Sequence, residues 1–558
     1  MHPSDEVPTM NHKTPPNGDR FSLSRRDVIG SGLGLATLGL TQTTSAGAQS
    51  IAEPTSVPKA PFDSYRDYIA ALEAHGLVVR IPRVNQDEYE ATAMMYRVRD
   101  QHGMRGGPVL FFEEILIDGK WVKGPLIVND CGHLYSECLL FGLDPVDDEP
   151  VRKESWASYR KARSHVEDML AANGGEYPQI PPVEVSASEA PCKEVILTGD
   201  DIDITKFQFI KCNPADAGRY MNTGMVFSRH PKYGLNIGTY RCHIRGPREI
   251  AVNSEPGQTG NRHWTAARSR GETIAKVSIA LSSDPYVWIC SSNKIANRRE
   301  GPVDELALAG GLAGRALKVV KSDTNDFMVP ANAEMIIEGE IPLDDKRPEG
   351  PYGEMVGYQG RTKDEQFWMR ITRITHRKNP WIVNNFTGLS GGSLMATGHA
   401  RSFYKLKQDI PEVVDFYSDN RAVGVTFCSI RKTAPGQGLE TARKIAESKF
   451  NSKVVIVVDE DMDVMNQGQM FGALGARWQP YGGTEIFESL PGLPLDPSMV
   501  KRGKTSKIAI DATRRWPEEG GPEIFPRWNR TLLEQGAPQA FARVDEQWGE
   551  LNRNWRPG

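Results

Sequence analysis

A chain of 558 residues is long for one hydrophobic core, and its length suggests about three domains. Acidic and basic side chains nearly balance, at a net charge of −4, and no Lys/Arg block stands out, which argues against nucleic acid as a partner. The seven cysteines are scattered, odd in number and form no C-x-x-C, so neither a disulfide framework nor a zinc site is expected.

Residues 1–20 are polar and proline-rich. Ser24-Arg25-Arg26-Asp27-Val28-Ile29 then leads into a short glycine-rich apolar run that ends near Leu40, and Ala46-Gly47-Ala48 follows. The run is too short to cross a bilayer core of about 30 Å as a helix, so residues 1–48 read as a signal peptide and no stable membrane span is expected. The paired arginines resemble a twin-arginine signal, which implies export of a folded protein to the periplasm or beyond.

Beyond a proline-containing spacer, Tyr65, Tyr68, Ile69 and Leu72 are apolar at helical spacing, with Gly76 placed to end the helix. Leu77–Ile81 reads as a short strand and Pro108–Phe112 as a buried one, with helical patterns around them. This first α/β region ends before Pro181-Pro182. From about Val195 to Phe386 strands dominate. Thr223–Ser228 and Leu235–Ile244 flank His230-Pro231-Lys232-Tyr233-Gly234, a hairpin signal. Lys276–Leu281, Met335–Ile341 and Phe367–His376 continue the series, interrupted by one helix from Asp304 to Leu317. A mainly antiparallel sheet or barrel with an inserted helix fits this pattern. After Ser402 the chain alternates again: Ala422–Ile430 as strand, Leu439–Ser448 as helix, Val454–Val458 as an apolar strand. Asp459-Glu460-Asp461-Met462-Asp463 follows that strand, either as a solvated acidic loop or as an ion site at a strand's carboxyl end.

The stretch richest in chemistry is Arg347–Arg361. It carries Glu349 and Glu354 among Pro348, Gly350, Pro351, Gly353 and Gly357, a density of breakers that predicts a fixed, irregular loop. Such a loop either turns its acids to water or aims both into one cavity.

Several stretches together resemble the UbiD family of reversible decarboxylases, which use prenylated FMN. They are Phe62-x-x-Tyr65-Arg66-Asp67-Tyr68, Asp216-x-Gly218-Arg219-Tyr220, Asn236-Ile237-Gly238-Thr239-Tyr240-Arg241, Val303-Asp304-Glu305, Val329-Pro330-Ala331-Asn332 and Pro348-Glu349-Gly350-Pro351-Tyr352-Gly353-Glu354. Ile430-Arg431-Lys432, Leu495-Asp496-Pro497 and Asp511-Ala512-Thr513 extend the likeness toward the C-terminus. The resemblance implies an α/β (α+β) fold: an N-terminal α/β domain (49–190), a central split β-barrel that binds the flavin (191–400) and a C-terminal α/β oligomerisation domain (401–558). It also implies a homodimer or higher homo-oligomer, and a flavin prenyltransferase as the source of cofactor.

By the same resemblance Glu349, Arg241 and Glu354 are the catalytic trio, with Glu354 the proton donor and Arg241 and Glu349 setting its charge and position. Arginine suits this role because it stays protonated and binds carboxylates bidentately. Asn236, Thr239, Arg241, Gln258, Glu305 and Lys432 are the implied cofactor contacts. A divalent ion, manganese, with potassium nearby, is implied on Asn236 and Glu305. The family's third ligand is a histidine, and here Gly257-Gln258-Thr259-Gly260 places Thr259 at that position. His263, four residues on, reads as a packed histidine rather than a ligand, and Lys432 reads equally as an anion contact or a surface strand end. Thr387-Gly388-Leu389-Ser390-Gly391-Gly392 replaces a proline- and acid-bearing loop of many relatives, a change on the substrate side. The expected substrate is an aromatic, heteroaromatic or α,β-unsaturated carboxylic acid. Two rivals stand beside this expectation: an exported, non-catalytic flavin or aromatic-acid binder, and plain FMN redox chemistry, which would leave the trio without a purpose.

Overall fold

The structure is a computed structural model and describes residues 57–146, 156–298, 301–418, 424–448, 452–499, 501 and 503–554. The expected signal peptide lies outside the described residues. Ser64 opens the first helix, Tyr65–Ala74, through a capping box: its hydroxyl accepts from the Asp67 N–H while the Asp67 carboxylate accepts from the Ser64 N–H. Gly76, in the left-handed region at φ 69°, ends it as the spacing predicts. The chain then lays down Val78–Asn85, Val109–Ile117 and Lys120–Val128 as one sheet. The fourth strand of that sheet, Ile382–Val383, comes from far along the chain and pairs in parallel with Lys120–Val128.

Six antiparallel strands close the central barrel. Met335–Pro342, Ile274–Leu281, Tyr220–His230, Gly234–Gly246, Glu249–Val252 and Lys363–His376 follow in that spatial order, and the last pairs back onto the first. Closure removes exposed edges, which an open sheet of such apolar strands would leave ready to pair with other chains. Side-chain alternation sorts the long Gly234–Gly246 strand: Tyr240, Cys242 and Ile244 fill the barrel, while Ile237 packs outside. Each fully buried apolar side chain is worth about 1.5–3 kcal/mol, and the interior is built from Val226, Val277, Ile279, Ile337, Phe367 and Met369, all 2 % exposed or less.

Three helices, not the one expected, accompany the barrel. Thr259–Ser269 caps it, sending Trp264 and Ala267 into its core. Pro285–Ser292 and Glu305–Ala313 cover its outer face. Pro285–Ser292 is apolar all round, so no polar stripe marks it as a helix. The helix expected from Asp304 to Leu317 stops at Ala313, because Gly314 turns left-handed at φ 68°. Its glycines have a packing reason: a Cβ on Gly311 would lie 1.7 Å from the carbonyl oxygen of Pro178.

The C-terminal sheet runs Val413–Ser418, Val425–Ile430, Val454–Asp459, Lys504–Asp511, Thr484–Pro491, with its three inner strands parallel and both edges antiparallel. The acidic run that begins at Asp459 agrees with the solvated-loop reading at Glu460 and Asp461, which are exposed, and arginines pair with its carboxylates. Arg477 holds Asp459 at 2.7 Å and Asp461 at 2.9 Å, Arg431 holds Glu460 at 2.8 Å and Arg160 holds Asp463 at 2.5 Å. All seven cysteines are free and buried. No helix among the described residues is long and apolar enough to cross a membrane.

Candidate functional site

The Arg347–Arg361 stretch is more ordered than its prolines and glycines suggest. Arg347–Glu349 pairs with the start of the Lys363–His376 strand, and Tyr352–Gly353 pairs with Gln359–Gly360. Asp216, 4 % exposed, pins the loop from below: its carboxylate accepts from Gly353 N at 2.8 Å and from Asn213 N at 3.0 Å. Two glycines let the chain close over Glu354. A Cβ on Gly360 would lie 2.7 Å from its side chain, and one on Gly388 would lie 2.9 Å from its carbonyl oxygen.

Held this way, the two acids meet one arginine. From the outer face of the Gly234–Gly246 strand, Arg241 donates to Glu349 through Nε (3.0 Å) and Nη2 (2.8 Å), and to Glu354 through Nη1 (2.7 Å). Arg241, Glu349 and Glu354 are 9 %, 1 % and 7 % exposed, which excludes the solvated acidic turn. Burial alone would depress the Arg241 pKa; the hydrogen bonds and charge of Glu349, then Glu354, outweigh it and raise the value, so the guanidinium stays charged. One cation stands between two carboxylates, so the cluster carries one more negative charge than positive when all three are ionised. The Tyr352 ring lies against the guanidinium at 4.3 Å, and the Tyr220 hydroxyl donates to Glu349 Oε1 at 3.1 Å. His243, two residues along the strand from Arg241, stacks on Tyr220 with ring centroids 4.8 Å apart. Burial, then the charge of Arg245, lowers His243 to about 4, leaving it neutral at physiological pH.

The other expected contacts cluster near the start of the same strand. Asn236 donates to Ser228 Oγ at 3.2 Å, and His263 Nδ1 lies 3.2 Å from that same oxygen. Among the described residues its Nε2 has no partner, and burial, then nearby Arg298, lowers the ring to about 4. Tyr240 accepts from Gly260 N at 3.0 Å, bringing the Thr259–Ser269 helix start to this end of the strand. Gln258 precedes that helix and accepts from Glu255 N, and the Thr239 hydroxyl donates to Ser291 Oγ at 3.0 Å. Glu305, 5 % exposed, accepts from the Ile237 N–H with one oxygen and from Arg298 Nη2 at 2.7 Å with the other. Burial raises Glu305 to about 7 against the pull of Arg298.

Lys432 is held by partners from the C-terminal region. It donates to Glu519 at 2.6 Å, Arg514 O at 3.0 Å and Thr513 at 3.1 Å, all beside the C-terminal sheet. An open cavity of about 540 Å³ also lies away from the trio, lined by His263, Trp264, Arg270 and Phe327 among others.

Asn236 and Glu305 offer oxygen to a divalent ion; Thr259 supplies no imidazole, both Glu305 oxygens already accept, one of them from a cation, and the imidazole in this cluster is that of His263, whose Nε2 has no partner among the described residues. Among the described residues no three His, Cys, Asp or Glu side chains gather to hold a metal. A flavin's phosphate would be met by the start of the Thr259–Ser269 helix, which has no side-chain cap, and the acid–arginine–acid cluster stands five residues along the strand, about 17 Å. Sequence reasoning missed Arg298, Tyr352 as an arginine platform and His243. For Arg298 the signal was Asn297-Arg298-Arg299, shortly before Glu305.

Comparison with known proteins bears on these two clusters. The model of the 3-octaprenyl-4-hydroxybenzoate carboxy-lyase Rift-related domain, UbiD, matches residues 183–390, and that of the carboxy-lyase C-terminal domain matches residues 393–512. An uncharacterised protein of Synechocystis sp. is 28% identical over 510 residues, covering 87% of this chain and 95% of that one. The vanillic acid decarboxylase of Sedimentibacter hydroxybenzoicus in open form is 26% identical with a TM-score of 0.73, covering 89% of this chain and 100% of the other. The UbiD-class enzyme HmfF from Pelotomaculum thermopropionicum, solved in complex with FMN, is 25% identical with a TM-score of 0.69, covering 84% and 98%.

Proposed function

Because the chain belongs to the UbiD family, by two domain models that together cover more than half of it, we propose that it is a carboxy-lyase. Its reaction is the reversible, non-oxidative decarboxylation of an aromatic, heteroaromatic or α,β-unsaturated carboxylic acid with prenylated FMN. The observation that carries this reading is Arg241 bridging buried Glu349 and Glu354.

Bound, prenylated FMN would supply the electron sink for the pair left when the carbon–carboxyl bond breaks. The chain's residues supply position and a proton. Arg241 orients the substrate carboxylate while remaining anchored on Glu349, whose second hold comes from the Tyr220 hydroxyl. Glu354 delivers a proton to the carbon that has lost carbon dioxide, and takes it back in the carboxylation direction. Overall R–COOH becomes R–H and CO₂, so the proton count balances within the active site. The residues that would hold the cofactor are Asn236, Thr239, Arg241, Gln258, Glu305 and Lys432.

The same reading takes residues 49–190, 191–400 and 401–558 as domains of a homo-oligomer. It also takes the twin-arginine leader as the export route, since a cofactor made in the cytoplasm must leave inside a folded protein.

The test is to produce the protein alongside a flavin prenyltransferase and record the absorbance and mass of the released cofactor. Prenylated FMN at near one per chain is expected. Unmodified FMN or no flavin, from folded protein, contradicts the reading.

A further inference from the structure

The cavity of about 540 Å³ lies beside the Thr259–Ser269 helix and shares no lining residue with the trio. Its volume falls in the range of about 300–1,000 Å³ usual for small-molecule sites. Three of its lining side chains lack the partners their chemistry calls for. His263 and Trp264 are 3 % and 2 % exposed, and among the described residues neither His263 Nε2 nor Trp264 Nε1 has a hydrogen-bond partner. Buried polar atoms left unpaired are costly and therefore rare. Arg229 is the third. The other lining charges are matched: Arg270 by Glu272 at 2.7 Å, Lys321 by Asp326 at 3.2 Å, Lys276 by Glu340, and Asp323 by Lys193 at 2.7 Å. Arg229 forms no ion pair among the described residues, and its guanidinium lies over the Phe327 ring at 5.3 Å.

We propose that this cavity is a second ligand site, for a small organic anion with an apolar body. The proposal is independent of the flavin reading. Arg229 supplies the uncompensated charge, in a fork that matches a carboxylate. The Trp264 indole N–H can only donate, so its partner must be an acceptor. His263 Nε2 donates or accepts according to tautomer, and an anion beside it selects the form with the proton on Nε2. Phe327, Ile274 and Ala267 offer apolar surface to the rest of the ligand. A cation would meet Arg229 and carboxylates that are already paired, and a neutral ligand would leave the arginine's charge unmatched.

The experiment is an NMR titration of the full chain carrying ¹⁵N-labelled tryptophan, in EDTA so that no metal ion competes for His263. The probes are benzoate and its neutral analogue benzamide. The signal followed is the Trp264 indole N–H, identified by its loss in Trp264→Phe. Benzoate is expected to shift that signal saturably, with benzamide weaker by about tenfold or more. Arg229→Gln should weaken benzoate by about tenfold or more, and His263→Phe should weaken it as well. A Trp264 signal unmoved by about 10 mM benzoate, equal affinity for the two probes, or an Arg229→Gln titration that matches the wild type would each overturn the proposal. Should Trp264→Phe fail to fold, calorimetric titration of the wild type and Arg229→Gln decides. Loss of one benzoate site per chain in the variant supports the proposal, and identical isotherms overturn it.

Discussion

At Arg241 a single side chain satisfies two carboxylates taken out of water, and this decides what a mutation there does. Breaking a buried ion pair from one side costs about 3–5 kcal/mol, because the abandoned charge has no other partner. Arg241→Ala should therefore lower the urea midpoint of unfolding, and adding Glu349→Gln should recover part of the loss. If the single variant matches the wild type, the two acids are not buried on Arg241 as described. His243 offers a pH signature. Its folded value of about 4 lies below the unfolded 6.5, so the unfolded state binds more protons between them and stability falls as pH drops through that window. Relative to His243→Phe, which keeps the stack on Tyr220, the wild type should lose up to about 1.4 kcal/mol per pH unit from pH 6.5 to 4, less as solvent screens the partly exposed ring. A flat difference across that range would contradict a neutral, half-buried His243. At this scale the sequence was readable where chemistry sits in a motif: Arg241, Glu349 and Glu354 could all be named. Tyr220 on Glu349 could not, because that contact joins a strand to a loop 129 residues away.

Among the elements, the Arg347–Arg361 loop shows how glycine positions set the geometry of the acid–arginine–acid cluster. Gly360→Ala should place a methyl against Glu354, whose side chain can give way while the backbone stays paired with Tyr352–Gly353. Turnover should fall by about 100-fold, the usual cost of misplacing a catalytic group by about 1 Å, with little change in thermal stability. Unchanged turnover would mean Glu354 is not held by this contact. The alternating strands of the barrel were legible because their two faces differ; the Pro285–Ser292 helix was not, since it is buried on every side. The irregular loop expected from its prolines proved partly paired, because short bridges survive wherever a single N–H faces a strand edge.

For the whole molecule, barrel closure sets the spacing between the trio and the phosphate end, since both lie on the Gly234–Gly246 strand. What closure brings together across the chain, such as Ile382–Val383 joining the first sheet, has no local signature in sequence. Export belongs to this scale as well. Replacing Arg25 and Arg26 by lysine should trap the precursor in the cytoplasm, checked by fractionation and blotting; mature protein still found outside would contradict a twin-arginine route. The central claim, that the trio performs non-oxidative decarboxylation, is tested most directly by one comparison. Protein loaded with prenylated FMN is incubated with ¹³C-bicarbonate and a panel of aromatic, heteroaromatic and α,β-unsaturated acids, and label entering the carboxyl carbon is measured by mass spectrometry for wild type and Glu354→Gln. The account predicts exchange into at least one acid by the wild type and a loss of about 100-fold or more in the variant, which stays folded and keeps its cofactor. Equal exchange by both proteins, or turnover of an acid only through oxidation, would contradict it.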